Sequence, residues 1–198
     1  YMEHITHLNR ERNQEIITQA QELNSLLLAK SITPIFLKGT GNLVAGLYED
    51  IAERMVGDID FIFSKEEYPK AISVLLEHGY EEVIKTDYNS PMFKHYPRVK
   101  KENRIAAVEI HKELLLEKYA SEFNYNFVEK DSQLINGFAV LSYANKLNLS
   151  IIANQINDSR YYYKTIAFVQ AVENRQGLKI ACIEEVAYLN GWIKKKEV

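Results

Sequence analysis

Asp58 and Asp60 stand one hydrophobe apart in Gly57-Asp58-Ile59-Asp60-Phe61-Ile62, a run in which acids and apolar residues alternate. Alternation of this kind fits a β-strand, where side chains two apart share a face with alpha carbons about 7 Å apart. Both carboxylates then point one way, and Ile59 and Phe61 point into a core. Two like charges held so close repel unless a cation stands between them, and oxygen-ligated Mg²⁺ or Mn²⁺ is a common answer. A solvated pair at a strand edge is the plainer alternative. Glycosyltransferases that hold a metal on a nucleotide sugar use the same triplet, so the pair alone fixes no reaction.

Val108-Glu109-Ile110-His111 repeats the pattern: Glu109 and His111 share a face opposite Val108 and Ile110, which makes a third carboxylate available. Three acids that can share two cations are what metal-assisted phosphoryl and nucleotidyl transfer needs, one ion for the triphosphate and one for the attacking hydroxyl. Taken singly, Glu109 paired with a lysine and His111 satisfied at a strand end explain the motif as well. Upstream, Lys38-Gly39-Thr40 closes an apolar run and opens a helical pattern. A glycine there admits a ligand close to the backbone, a helix start offers free N–H groups, and the Thr40 hydroxyl can donate to a phosphate. The lysine and hydroxyl residue that follow the second glycine of a P-loop are missing. Arg54 can reach a phosphate with its planar fork or pair with Glu53 or Asp50, and Lys38 can meet phosphate or simply reach solvent.

Positioning these residues requires a particular order of elements. Ile16, Ile17, Ala20, Leu23, Leu26, Leu27 and Ala29 recur at helical spacing and predict an amphipathic helix over about 9–30. Pro34 to Leu37 reads as a buried strand, followed by the glycine turn and a helix carrying Leu43, Val44, Leu47 and Tyr48. After the acidic strand, Ser64 with Glu67 three residues on forms a capping box for a helix that ends at His78-Gly79. Strands are expected at 80–84, 93–99 and 104–111, with polar turns at Asp87-Tyr88-Asn89-Ser90-Pro91 and at Lys100-Lys101-Glu102-Asn103. Helices are expected again at 143–156, 161–173 and 183–195. The chain is read as a domain over 1–116 and a helical region over 117–198 packed against it.

At 198 residues, 46% hydrophobic and 26% charged, the chain is long enough for one well-filled core. A net charge of -3 gives no general attraction for a nucleic-acid track. The local run Lys94, His95, Arg98, Lys100, Lys101 and Arg104 either guides a polyanion or forms a solvated edge whose lysines block strand pairing. Tyr161-Tyr162-Tyr163 offers at most one or two rings to a base, because consecutive residues on a helix face different ways. A single cysteine, Cys182, excludes an internal disulfide and fits a reducing compartment, where it is expected to be buried and inert. No apolar run approaches a membrane span, and the charged start lacks the apolar core of a signal peptide, so a cytoplasmic protein is expected.

Phe36-Leu37-Lys38-Gly39, Leu47-Tyr48, Arg54, Gly57 to Ile62, Ala71, Leu75, Gly79-Tyr80 and Val108 to His111 together resemble a family of uncharacterised bacterial nucleotidyltransferases of the DNA polymerase beta-like superfamily. The resemblance spans roughly Ile35 to His111. It implies an α/β (α+β) fold, a small mixed β-sheet palm with helices on one side and a C-terminal helical region as the far wall of a cleft. It makes Gly39 and Thr40 triphosphate contacts, with Lys38, Arg54 and His111 also in the nucleotide site. Asp58 and Asp60 become ligands of both metals, Mg²⁺ or Mn²⁺, and Glu109 an additional ligand of the catalytic one. The implied reaction moves an NMP, by superfamily habit AMP from ATP, onto a hydroxyl of an acceptor that is a small molecule, a protein or RNA. Thr40 stands where the superfamily usually has serine, Glu109 where aspartate is commoner, and a loop over 49–56 lengthens the interval before Asp58. The alternative is a degenerate palm that binds without turnover, such as a toxin-antitoxin component, in which the three carboxylates do not converge.

Overall fold

In the computed structural model, the alternating run becomes a strand, β2 (Asp58–Ile62), at the centre of a mixed sheet. The structure describes residues 2–84, 94–116 and 119–156. All of these fall in the first of two units into which the chain divides, Tyr1–Asn157, and the second, Asp158–Val198, lies outside the described residues. So do the expected turn at 87–91, Phe93, the helices at 161–173 and 183–195, Tyr161-Tyr162-Tyr163 and Cys182.

The other strands are β1 (Ile35–Phe36), β3 (Tyr80–Glu82), β4 (Val99–Lys101), β5 (Ala107–His111), β6 (Gln133–Ile135) and β7 (Phe138–Val140). Among the described residues the sheet runs β3-β4-β5-β2-β1-β7-β6. β2 pairs antiparallel with β1 and parallel with β5, and β1 in turn pairs parallel with β7. The β6–β7 hairpin comes from a stretch the sequence reading assigned to a helical region. Its strands are three residues each, too short for an alternation signal, and turn at Asn136-Gly137, both with positive φ. Lys100 and Lys101, expected in a turn, belong to β4. Val99 beside them is fully buried, and only Glu102 and Asn103 turn the chain.

One face of the sheet packs on α1 (Met2–Leu28), α2 (Lys38–Val44) and α3 (Tyr68–Glu77). Ile16, Ala20, Leu23 and Leu27 form the buried stripe of α1, and they meet Phe36, Ile59, Phe61, Val108 and Ile110 from the strands. Phe36 is edge-on to both Phe61 and Phe138, at centroid distances of 5.6 and 5.2 Å. On the opposite face, Ile35, Leu37 and Ile62 pack with Val128 of α4 (Tyr125–Glu129) and Leu149 of α5 (Tyr143–Ile156). Helices therefore cover both faces, where the sequence reading put them on one side and in a far wall. Alternation along β2 makes this second face apolar at Ile62 and acidic at Asp60 and Asp58, so the acids stand where the second core ends. One half of the expected capping box forms, the Ser64 hydroxyl accepting from the Glu67 N–H, while the Glu67 carboxylate accepts from the Thr33 N–H instead, and α3 stops at Gly79 with φ +82°.

The loop before Asp58 is held by polar side chains of α1. Asn13 Nδ2 donates to the carbonyls of Ile51 and Arg54, and its Oδ1 accepts from the Val56 N–H. Asn9 donates to Ala52, Arg12 to Val56, and Arg10 pairs with Asp50. This satisfies backbone groups that would otherwise be buried unpaired as the long interval closes over the helix.

α2 leaves β1 with no intervening loop, and Gly41 makes that approach sterically allowed. A Cβ on Gly41 would lie 2.6 Å from the Phe36 carbonyl oxygen, a backbone atom that cannot rotate away. A Cβ on Gly57 would meet nothing within 4 Å. Gly41→Ala is therefore expected to cost about 1–3 kcal/mol, the usual scale of overpacking, while Gly57→Ala stays within about 0.5 kcal/mol of the parent. Urea denaturation of both variants checks this, and equal midpoints would show that α2 shifts freely on β1.

Candidate functional site

β2 and β5 lie in parallel register with Asp60 beside Glu109 and Ile62 beside His111. Both strands alternate in step, so Asp58, Asp60, Glu109 and His111 project from the same face. Asp60 and His111 are each only 1% exposed, and Glu109 is buried as well. Two carboxylates so close in a dry place require compensation, and three side chains supply it. Lys38 Nζ lies 2.5 Å from Asp60 Oδ1 and 3.2 Å from Glu109 Oε2. Arg98 grips Glu109 Oε1 through Nη2 at 2.5 Å and Nε at 3.2 Å, and Nη2 also reaches Asp58 Oδ2 at 3.2 Å. His111 Nε2 stands 2.9 Å from Asp60 Oδ1 and 3.5 Å from Glu109 Oε2.

These contacts displace proton equilibria in opposite directions. Burial works against the Glu109 charge, but hydrogen bonding with His111 and the charges of Lys38 and Arg98 outweigh it and hold its carboxyl well below the usual range. Burial likewise disfavours the Lys38 ammonium, yet Asp60 and Glu109 leave it raised to about 12. Asp58 goes the other way. Its own burial, then the charges of Asp60 and Glu109, push it above the ordinary carboxylate value against Lys38 and Arg98. Asp58 is thus the acid with the least compensation.

The donor set fits a divalent cation. Asp60, Glu109 and His111 each present one ligand atom, and these atoms all lie within 4.8 Å of one another. Two are carboxylate oxygens paired with the Lys38 ammonium, and the third belongs to a buried imidazole whose Nδ1 has no hydrogen-bond partner among the described residues. Asp58 stands at the rim beside them, tied in through Arg98.

The remaining sequence-derived residues divide. Gly39 is the second residue of α2, and a Cβ there would press on Val56 Cγ2 at 3.1 Å, so its space is already used in packing. Thr40 is fully buried and donates its hydroxyl to the Asp58 carbonyl at 2.7 Å, which ties α2 to β2 and takes up the proton a phosphate contact would need. Lys38, at φ 47°, is turned onto the acids. Arg54 is exposed, and among the described residues its side chain has no ion pair, while Asp50 is taken by Arg10. Arg98 was missed as a site residue, having been read as part of a basic run. The signal for it was hairpin counting: with Val99 opposite Val108, the next position outward sets Arg98 against Glu109.

Comparison with known proteins gives the family and the fold. The model of a family described as an uncharacterised nucleotidyltransferase matches residues 1–159. A crystal structure of a candidate nucleotidyltransferase from Thermotoga maritima has a TM-score of 0.54 over 78% of this chain and 94% of that one, at 13% identity, a likeness of fold. Glucose-1-phosphate thymidylyltransferases of Neisseria gonorrhoeae and Neisseria meningitidis serogroup A are 53% and 44% identical to the chain over 36 residues. That segment is 18% of this chain, and the chain spans 12% of the length of either relative. None of the described helices is long and apolar enough to cross a membrane.

Removing Lys38 should expose the repulsion it conceals. Breaking a fully buried ion pair costs 3–5 kcal/mol. With the Lys38 side chain 39% exposed, Lys38→Met is expected to lose about 1–3 kcal/mol at pH 7. Because the folded value lies near 12 and the ordinary one at 10.5, the lysine contributes fully below 10.5 and loses its contribution as pH rises through about 12. Parent and variant should therefore converge above that pH, and added Mn²⁺ should stabilise the variant more than the parent. Thermal melts across pH with and without the ion check this. A variant as stable as the parent at pH 7, and indifferent to the ion, would show that the acids need no cation.

Proposed function

The chain belongs to the uncharacterised nucleotidyltransferase family, and from that premise we propose that it transfers a nucleoside monophosphate from an NTP to a hydroxyl of an acceptor, with pyrophosphate leaving. The observation that carries the reading is the register that sets Asp60 beside Glu109, with His111 and the rim carboxylate Asp58 on the same face. A divalent ion bound there would neutralise charge on the triphosphate and make the attacking hydroxyl easier to ionise. In this reading Asp58 and Asp60 would hold both cations, and Glu109 would add a ligand to the one that serves the acceptor. Lys38 leaves the acids for the phosphates once their charge is otherwise matched. Arg54, exposed and unpaired among the described residues, meets the outer phosphates, and the Gly39 backbone lies beside them. Thr40 acts at one remove, fixing the start of β2 through the Asp58 carbonyl. ATP with Mg²⁺ or Mn²⁺ is the first donor to try. The thymidylyltransferase segments favour a second reading, in which thymidine triphosphate is the donor and a sugar phosphate the acceptor.

The test incubates the protein with each α-labelled NTP and with dTTP, with a divalent ion, against small hydroxyl compounds, glucose 1-phosphate, proteins and transfer RNA. Label is expected to move from one donor to one acceptor class. Asp60→Asn and Asp58→Asn are each expected to lower the rate about 10³-fold, the equivalent of roughly 4 kcal/mol of transition-state stabilisation. Transfer that survives in Asp60→Asn, or label that moves to nothing while the folded protein binds nucleotide, would turn the conclusion to the non-catalytic binding module.

A further inference from the structure

The acids alone suit Mg²⁺, but the third donor beside them is a nitrogen. Asp60 Oδ1 and His111 Nε2 are 2.9 Å apart, and Glu109 Oε2 and the same nitrogen 3.5 Å. Donors bound at about 2.0–2.2 Å to one octahedral ion sit roughly 3 Å apart along an edge of the polyhedron. The spacing already matches such an edge. The positions are also rigid, because the residues lie on two strands in direct register and their side chains are at most 7% exposed. Mg²⁺ is hard, prefers oxygen and keeps several waters, whereas imidazole suits the borderline divalent ions, and carboxylates bind Mn²⁺ as readily as Mg²⁺.

Two features around the triad fit a ligand role for the histidine. Lys38 Nζ stands against Asp60 Oδ1 and Glu109 Oε2, the two oxygens that also face His111 Nε2, so a monovalent cation now holds the ground between them. Its side chain is 39% exposed and has room to withdraw toward solvent. The other feature is the setting of the ring: Nε2 is the nitrogen that faces both carboxylates, and Nδ1, which carries the proton when Nε2 ligates, is buried without a partner among the described residues. The ring of His95 packs 5.2 Å away, centroid to centroid, and holds the imidazole plane in place.

We propose that His111 Nε2, Asp60 Oδ1 and Glu109 Oε2 form a mixed nitrogen and oxygen site for a first-row transition-metal dication, with Mn²⁺ as its probe, entered by displacement of Lys38 Nζ. Asp58 lies outside this inner triad. The inference rests on the transfer reading only for the purpose the ion serves.

Pulsed EPR of Mn²⁺ bound to the whole chain, without nucleotide, tests it. The expected spectrum shows modulation from one directly bound ¹⁴N, which ¹⁵N-histidine labelling replaces with the ¹⁵N pattern. The signal should persist in His95→Gln and vanish in His111→Gln. Equilibrium dialysis should show Mn²⁺ binding more tightly than Mg²⁺, with the Mn²⁺ affinity lowered about 10–100-fold in His111→Gln and the Mg²⁺ affinity changed far less. Bound Mn²⁺ with no ¹⁴N modulation, or a nitrogen signal that His111→Gln retains, overturns the proposal. If His111→Gln does not fold, the spectra of the labelled and unlabelled parent and of His95→Gln decide alone. Failure here leaves nucleotidyl transfer standing on an oxygen-ligated ion, and failure of transfer with ¹⁴N present leaves the metal site standing.

Discussion

The constraint on which the rest of this molecule turns is the juxtaposition of Asp60 and Glu109 in the parallel pairing of β2 with β5. Two carboxylates that close and that dry would each bear a desolvation cost of several kcal/mol and repel one another. Every nearby irregularity can be understood as a response. Lys38 adopts φ 47°, a conformation a side-chain-bearing residue enters at a cost of about 1–2 kcal/mol, and its ammonium then reaches both acids. β4 pairs with β5 at Val99, which carries Arg98 to Glu109. His111 is buried two residues beyond the pair, on the same face, where a histidine would otherwise be a poor choice.

The scaffold that fixes this juxtaposition divides its work between two cores. Phe61, Ile59, Val108 and Ile110 anchor the inner sides of the two strands, so neither can slip by one residue without turning its acids into the α1 core. Ile35, Leu37 and Ile62 seal the other face just past the acids and exclude water from one side of the site. α1 contributes beyond its apolar stripe. Its asparagines and arginines bind the backbone of 50–57, which sets where β2 begins, and Gln19 exchanges two hydrogen bonds with Ala106 just ahead of β5. A single helix therefore aligns the entry points of both acid-bearing strands.

Much of this was legible in the sequence because it follows from period-two alternation and from signals a few residues long. The acidic strand, the facing of Glu109 and His111, the α1 stripe, the Ser64 cap and the Gly79 stop all have local causes. What was not legible depended on pairing. Arg98 looked like one more cation in a basic run, and only the register of β4 on β5 makes it a partner of Glu109. Thr40 looked free to meet a phosphate, and only the approach of α2 to β2 gives its hydroxyl to a carbonyl. The β6–β7 hairpin is stabilised by pairing to β1, not by any propensity of its six strand residues, so a reading without tertiary contacts passes over it.

The distribution of charge also says where an incoming cation is drawn. Glu109 is matched from both sides, by Arg98 on one oxygen and Lys38 on the other. Asp60 is matched by Lys38, and His111 adds a hydrogen bond. Asp58 shares only an edge of the Arg98 guanidinium among the described ion pairs, and its burial, then the charges of Asp60 and Glu109, raise its proton affinity. Of the three acids it is also the one open to solvent, with its side chain 33% exposed. Unbalanced negative charge thus sits at the mouth of the site and balanced charge within it. In the proposed reaction a cation arriving with a nucleotide would gain most by meeting Asp58 first, and would reach Asp60 and Glu109 only by exchanging places with Lys38. The lysine keeps the two acid-bearing strands from repelling one another, and by the same contact it would oppose any ion that binds too weakly to displace it.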